Sequence, residues 1–449
     1  MRSGMEKNMP TNIEVTAKRE QLLEAPFYAA QQENVRVMVT GLGIVSPLGS
    51  DIAQFWSRLC AGESGVAPAT SFDTASFASS LVAEVRDFDP INILGAKLSR
   101  RTDRVTQFGL LAALRAWSDS GFDVAMGITD DVGVCAGTSV GGLGTAFRTH
   151  DLVREGNRRK IGPFTMSATF ANALSGEISI ALGVTGPSES ISNGCSSTAS
   201  AMVRAAELIR NGECRAVVVV GAEAPLHPTI FAAMEAGGML APDDGGRVRD
   251  LPRPFDVRRC GIVMGEGAGA VILEDLRHAM QRGARIYGEF VGSGTSCDAY
   301  SMLKPKEDGV LAQLAIEKAI QTAGWNTHQV DYINACGLGT PDLDRVETLA
   351  IKNALGQDAR RIPISSLKGA LGHAFAASGI FQVITSLLTM RDGVIPPTLN
   401  LSESDSECDL SYVRNIHRLP YIRRVLINSF GFGGKNVVLA LAQANTSIQ

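Results

Sequence analysis

The chain has 449 residues, a formal net charge of -4, 45% hydrophobic and 20% charged residues, and 47 glycines; it can bury a large core in two or three domain-sized units, as a compact α/β enzyme with tight turns would. The slight acidity argues against a nucleic-acid binder, and no apolar run reaches the roughly 18–20 residues that span a bilayer. Eight cysteines without a C-x-x-C pair suggest neither a disulfide framework nor a zinc site, so no metal is expected and a reducing cytoplasm is the simplest location.

Residues 1–34 are polar and mixed, with one short possible helix around Val15 to Leu23 and no apolar core of a signal peptide; they read as an extension open to disorder. From Val35, VRVMVTGLGIVSPLG predicts a buried strand entering a glycine turn, then a helix over Ile52 to Ala61. The glycines lack the third spaced position and the ribose-binding acid of a dinucleotide site, which is rejected. Lys97 to Ser120 reads as a basic loop feeding an amphipathic helix, and Asp131 to Leu143 as a strand ending in a glycine loop. Ser190 to Gly212 changes period at Asn193-Gly194-Cys195: Ala199, Met202, Val203, Ala206 and Ile209 recur at helical spacing until Asn211-Gly212. A thiol in the first turn of that helix would feel the positive end of the helix dipole, which favours the reactive thiolate. A buried, inert small hydrophobe is the commoner meaning of a cysteine.

Strands follow at Ala216 to Val220 and within Arg253 to Asp275, with a helical linker over Leu276 to Arg282. From Ala284 the alternation starts again: ARIYGEFVGSG as strand, VLAQLAIEKAIQTAG as helix, VDYINACGLGT as strand and glycine turn. IPISSLKGALGHAFAASG supplies strand, loop and helix start, and RRVLINSFGFGGKNVVLALA two strands about a glycine turn. The pattern predicts two halves, 35–283 and 284–449, each a parallel sheet covered by helices.

The segments VMVTGLGIVSPLG, RRTDRVTQF, GPSESISNGCSSTASA, RPFDVRRCGIVMGEGAGA, SSLKGALGH, RDGVIPPTLN and NSFGFGGKN, in this order, resemble the β-ketoacyl synthases, condensing enzymes of the thiolase superfamily. The resemblance covers nearly all of 35–449 and implies a thiolase-like five-layered αβαβα fold. It also implies a homodimer, or a heterodimer with a related chain-length subunit. A glycine before the cysteine looks most like the type II polyketide branch. No cofactor is bound in such enzymes; the substrate arrives on the phosphopantetheine of an acyl carrier protein or of coenzyme A. By this resemblance Cys195 is the nucleophile and His373 the second histidine, while Lys368 and Glu347 form a buried pair that steadies the site. The N–H groups of Cys195 and Phe432 would make the oxyanion hole, and Phe432, beside Phe430, the gate of the acyl pocket. The same chemistry follows without the family: acyl transfer needs an activated nucleophile, a proton-handling group and N–H donors at the developing oxyanion.

The first histidine of such enzymes sits in a motif of the form N-A-H-G-T-x-T-P, where this chain has Asn334-Ala335-Cys336-Gly337-Leu338-Gly339-Thr340-Pro341. Asp344 and Glu347 hold the register, so Cys336 takes that position. A thiol is a poor hydrogen-bond donor, and losing one stabiliser of an enolate costs roughly 10²–10³ in rate. Leu338 and Leu303 stand where threonines contact pantetheine, Thr340 is retained, and Lys435 replaces a threonine after GFGG. The leading expectation is therefore an acyltransferase that loads Cys195 but has altered or lost decarboxylative condensation. Cys336 could then serve as a base, as a second cysteine does in thiolases. Ordinary condensation with His373 in both roles is the alternative, and a non-catalytic partner subunit a third reading. Because carriers are acidic, Arg100, Arg101, Arg104, Arg204 and Arg210 are candidate docking residues.

Overall fold

The computed structural model describes residues 35–122, 131–243 and 250–445; the extension read over 1–34 lies outside them. The strands that position the site are β1 (Val37–Val45), β2 (Val132–Gly137), β3 (Ser188–Ile191), β4 (Ala216–Glu223), β5 (Gly267–Asp275), β6 (Gly288–Cys297), β7 (Tyr332–Asn334), β8 (Ile364–Ser365), β9 (Arg424–Gly431) and β10 (Lys435–Ala442). Together they form a ten-stranded sheet in the order β8-β7-β9-β10-β6-β1-β5-β4-β2-β3. Read outward from the β1–β6 junction, the order 1-5-4-2-3 is repeated as 6-10-9-7-8.

The pairing is mixed, which corrects the expectation of parallel sheets. In the first half β4 runs parallel to β2, and β2 to β3, but β5 is antiparallel to both β1 and β4. In the second half β9 and β7 are parallel, whereas β10 is antiparallel to β9 and β6. The physical reason is local for β9 and β10: Gly431 pairs with Lys435, so the connecting turn is too short for the crossover a parallel pair requires.

Five principal helices complete the layers: α1 (Arg104–Asp119), α2 (Ser197–Arg210), α3 (Val310–Thr322), α4 (Pro341–Leu355) and α5 (Ala377–Asp392). Between the halves lie α2 and α5, packed on each other and on strands of both. Every residue of α5 from Ala377 to Met390 is buried, as a middle-layer helix must be. On one outer face α1 covers β1, β4 and β5; on the other, α3 covers β6 and β10. That is the five-layered αβαβα arrangement. The contact between α1 and β1 is close because β1 carries glycine there: a Cβ on Gly43 would sit 2.0 Å from the Ala112 carbonyl oxygen. The basic stretch expected as a loop before α1 is itself a short helix, Ala96–Arg101, and Asp103 caps α1 by accepting from the Val105 N–H.

Candidate active site

Cys195 lies on the turn between β3 and α2. Gly194 has φ +58°, which allows the chain to reverse just before the thiol. The helix begins at Ser197, so the thiol sits two residues before the first helical residue rather than within the first turn. Ser196 Oγ donates to the Ser429 carbonyl at 2.9 Å and so fastens this turn to β9. Ser197 Oγ accepts the Asn193 N–H at 2.8 Å and closes the turn on itself.

His373 lies in the loop before α5. Its N–H donates to Val263 O at 2.7 Å, and its carbonyl accepts from the Gly265 N–H at 2.9 Å, so the loop is tied to the chain ahead of β5. Nε2 is 3.1 Å from Cys195 Sγ, and Nδ1 is 3.5 Å from Ser378 Oγ. Phe375 stacks on the ring with centroids 4.9 Å apart, and its own φ of +44° is a strained, left-handed value beside the imidazole. Both reacting groups are neutral at rest. Burial, reinforced by the Lys368 cation, pulls the imidazole down to about 3. Burial pushes the Cys195 thiol up to about 11, against the pull of the Phe432 and Cys195 N–H groups directed at the sulfur. The expected resting thiolate is therefore corrected: the helix end is too far along and the desolvation too large. Thiol and neutral imidazole form a pair across which one proton can pass.

Those two N–H groups come from the nucleophile turn and from the turn after β9. The β9–β10 turn, Phe432-Gly433-Gly434, brings Phe432 to the sulfur, and Gly433 and Gly434 take φ of +78° and +68°. A Cβ on Gly431 would meet Ser196 Oγ, Cys195 N and Cys195 Cβ at 3.2, 3.3 and 3.4 Å. Glycine is what lets this strand end lie against the nucleophile turn.

Cys336 follows β7 and is buried, 6% exposed. Its Sγ donates to the Phe430 carbonyl at 3.4 Å, and burial pushes the thiol up to about 12. A buried, neutral thiol directed at a carbonyl offers little as a base in this arrangement. Lys368 and Glu347 are both buried but are not an ion pair among those of the described residues. Each instead grips the Cys336 segment: Lys368 Nζ donates to Cys336 O at 3.1 Å, while Glu347 accepts the Cys336 and Gly337 N–H groups at 2.9 and 2.8 Å and Asn428 Nδ2 at 2.9 Å. Asp344 accepts the N–H groups of Leu338 and Gly339, so the whole loop is clamped by carboxylates. Leu338 and Thr340 are buried, and Thr340 Oγ1 has no hydrogen-bond partner among the described residues. Leu303 is half exposed and lines a cleft with Lys304, Leu343, Phe430 and Phe432. Lys435 is part-buried, and its carbonyl accepts from Ser196 Oγ at 3.2 Å.

Most of the candidate docking arginines are engaged within the chain. Arg101 pairs with Glu177, Arg104 binds Glu266 through two nitrogens, Arg204 grips Glu189, and Arg210 donates to the Phe290 carbonyl. Arg204 and Arg210 lie outside the groove that the other three share. Arg100, Arg101 and Arg104 do line a broad groove that also contains Lys97, Arg148 and Lys160. Sequence reasoning assigned no role to Ser378 or Asn428, although they lie within the segments IPISSLKGALGHAFAASG and NSFGFGGKN, and the run Arg158-Arg159-Lys160 was open to inspection.

Two family models match the chain: the β-ketoacyl synthase N-terminal domain over residues 34–279 and its C-terminal domain over 287–402. The 3-oxoacyl-[acyl-carrier-protein] synthase 2 of Coxiella burnetii is 39% identical over 92% of this chain and 99% of its own length. The enzyme of the same name from Synechocystis is 38% identical over 92% and 99%. Among solved structures, the ishigamide ketosynthase/chain length factor matches with TM-score 0.85 and 31% identity over 92% of this chain and 100% of that one. A type II polyketide ketosynthase in complex with its acyl-carrier protein matches with TM-score 0.83 and 30% identity over the same shares. With a thiol, an imidazole and two N–H groups converging in a thiolase-like fold, this chain belongs to the β-ketoacyl synthase family, enzymes that transfer acyl groups.

Proposed function

We propose that the chain is a condensing enzyme that makes a 3-oxoacyl thioester. Cys195 takes an acyl group from the phosphopantetheine arm of an acyl carrier protein. As Sγ attacks the thioester carbonyl, the thiol proton passes to His373 Nε2, and the carbonyl oxygen becomes an anion held by the Cys195 and Phe432 N–H groups. Collapse expels the carrier thiol, which regains the proton. A malonyl thioester then loses CO2, and its carbanion attacks acyl-Cys195, with His373 the nearest imidazole for both steps; the C–S bond breaks, the 3-oxoacyl carrier leaves, and the Cys195 thiolate takes up a proton from solvent. The observation that carries this reading is the 3.1 Å approach of Cys195 Sγ to His373 Nε2 in a buried site with N–H donors at the sulfur.

The relatives' names support ordinary condensation better than acyl transfer with condensation lost. Cys336, the residue we assign to the first-histidine position, then slows decarboxylation rather than abolishing it, because its thiol is a weak donor already spent on Phe430 O. An intact nucleophile and its imidazole weigh against a non-catalytic subunit. The cation-lined groove of Lys97, Arg100, Arg148 and Lys160 suits an acidic carrier protein, and assembly with a second ketosynthase-fold chain belongs to the same reading.

Incubation with an acyl carrier thioester should add one acyl mass to wild type and none to Cys195→Ala. Subsequent malonyl carrier should yield CO2 and a 3-oxoacyl product two carbons longer. Acylation without CO2 would return the reading to acyl transfer alone.

A further inference from the structure

Glu223, the last residue of β4, is fully buried and has no basic side chain among its partners in the described residues. Four donors surround its carboxylate instead. Oε1 accepts Thr138 Oγ1 at 3.0 Å and Val140 N–H at 3.2 Å, and Oε2 accepts Ser139 N–H at 2.7 Å and Ala376 N–H at 3.4 Å. Both oxygens face donors, which offsets part of the burial that pushes this carboxyl above the usual carboxylate range.

These donors come from two segments directly behind the reacting atoms. Thr138 to Val140 follow β2, and Ser139 Oγ donates at 2.9 Å to the carbonyl of Gly194, the residue before the nucleophile. Ala376 lies three residues beyond His373 in the strained loop, and its carbonyl accepts from Thr198 Oγ1 at 2.6 Å, in the first turn of α2. One carboxylate thus joins the backing of the thiol to the backing of the imidazole.

We propose that Glu223 is a positioning residue for acyl loading: it locks the Ser139 turn behind Cys195 to the Ala376 loop behind His373. The proposal rests on Cys195 being the acyl acceptor. Glu223→Gln would replace one acceptor oxygen by an NH2 group that faces backbone N–H donors. The alignment of the thiol with His373 then loosens, while the thiol itself is unchanged.

The experiment compares Glu223→Gln, Glu223→Asp and Ser139→Ala with wild type, each checked for folding by circular dichroism. Iodoacetamide alkylation of Cys195 is followed by mass from pH 7 to 9.5, and acyl loading from a carrier thioester is measured in parallel. For Glu223→Gln, loading should fall about tenfold or more, while alkylation at pH 9.5, which needs the thiol but not its alignment with His373, stays within about twofold of wild type. Glu223→Asp should recover part of the loading, and Ser139→Ala should slow loading in the same way. Unchanged loading in Glu223→Gln, or alkylation that falls as far as loading, would overturn the proposal. Should Glu223→Gln fail to fold, Glu223→Asp and Ser139→Ala still decide: loading at the wild-type rate in both would refute the lock. Failure of wild type to load any acyl donor would refute the functional reading, whereas a wild type that loads no faster than Glu223→Gln would refute only the role of Glu223.

Discussion

Replacing Cys336 with histidine should quicken decarboxylation. In the native site the Cys336 thiol donates to Phe430 O at 3.4 Å, so it offers little to an enolate forming beside Cys195. An imidazole N–H aimed at that oxygen is worth roughly 10²–10³ in rate, or about 2.7–4 kcal/mol of barrier. The ring must enter a site that is 6% exposed and bounded by Phe430 and the clamped loop, and such overpacking costs about 1–3 kcal/mol of stability. For a chain of this size that is a fall in Tm of a few degrees, so the variant should fold. The assay is CO2 release from malonyl carrier in a single turnover, on protein whose Cys195 has been acylated beforehand and verified by mass. A gain of at least about tenfold over wild type is expected, with acylation rates little changed. Equal CO2 release from a folded, fully acylated Cys336→His protein would refute the reasoning that this thiol limits the step.

Other substitutions probe the remaining contacts. His373→Ala should slow acyl loading by roughly 10²–10⁴ while the protein stays folded, measured by intact mass against time; an unchanged rate would remove His373 from proton transfer. The His373 imidazole stays neutral in the folded protein down to about pH 3, whereas an unfolded histidine takes up its proton near 6.5. The folded state therefore binds fewer protons below that value, and stability falls with pH through the window from about 6.5 to 3, by at most about 1.4 kcal/mol per pH unit. Urea unfolding at pH 7 and pH 5 should show a larger loss for wild type than for His373→Ala, and identical losses would contradict the buried neutral imidazole. Arg104→Ala should lower stability by about 1–3 kcal/mol, since it leaves the buried Glu266 carboxylate without its guanidinium, whereas Arg100→Glu should leave Tm alone and weaken acyl transfer from the carrier. Gly431→Ala should displace the nucleophile turn, because the new methyl meets Cys195 N and Cβ within 3.4 Å; loading should drop with little loss of Tm.

The chain's own patterns disclosed much of the architecture. Long apolar runs such as VMVTGLGIV and AVVVVGAE read directly as strands, since buried strands of a covered sheet have no polar face to confuse the period. Strand direction was not legible, because hydrophobic patterning is the same for parallel and antiparallel neighbours. The roles of Lys368 and Glu347 were legible as a buried pair but not as two clamps on the Cys336 main chain, for backbone partners leave no mark in side-chain spacing. Thiol ionisation was misread from the helix alone: desolvation depends on what packs above Cys195, and that comes from β9 and the His373 loop. Arginines were likewise visible as charges, while the carboxylates that occupy Arg104 and Arg204 lie far away or across a strand.

Single-turnover mass analysis of an acyl carrier thioester with wild type and Cys195→Ala, followed by malonyl carrier and CO2 detection, tests the central claim most directly. The account predicts an acyl adduct confined to wild type, then CO2 and a 3-oxoacyl product two carbons longer. Absence of an adduct with every acyl carrier thioester, or an adduct that never releases CO2 on addition of malonyl carrier, would contradict it.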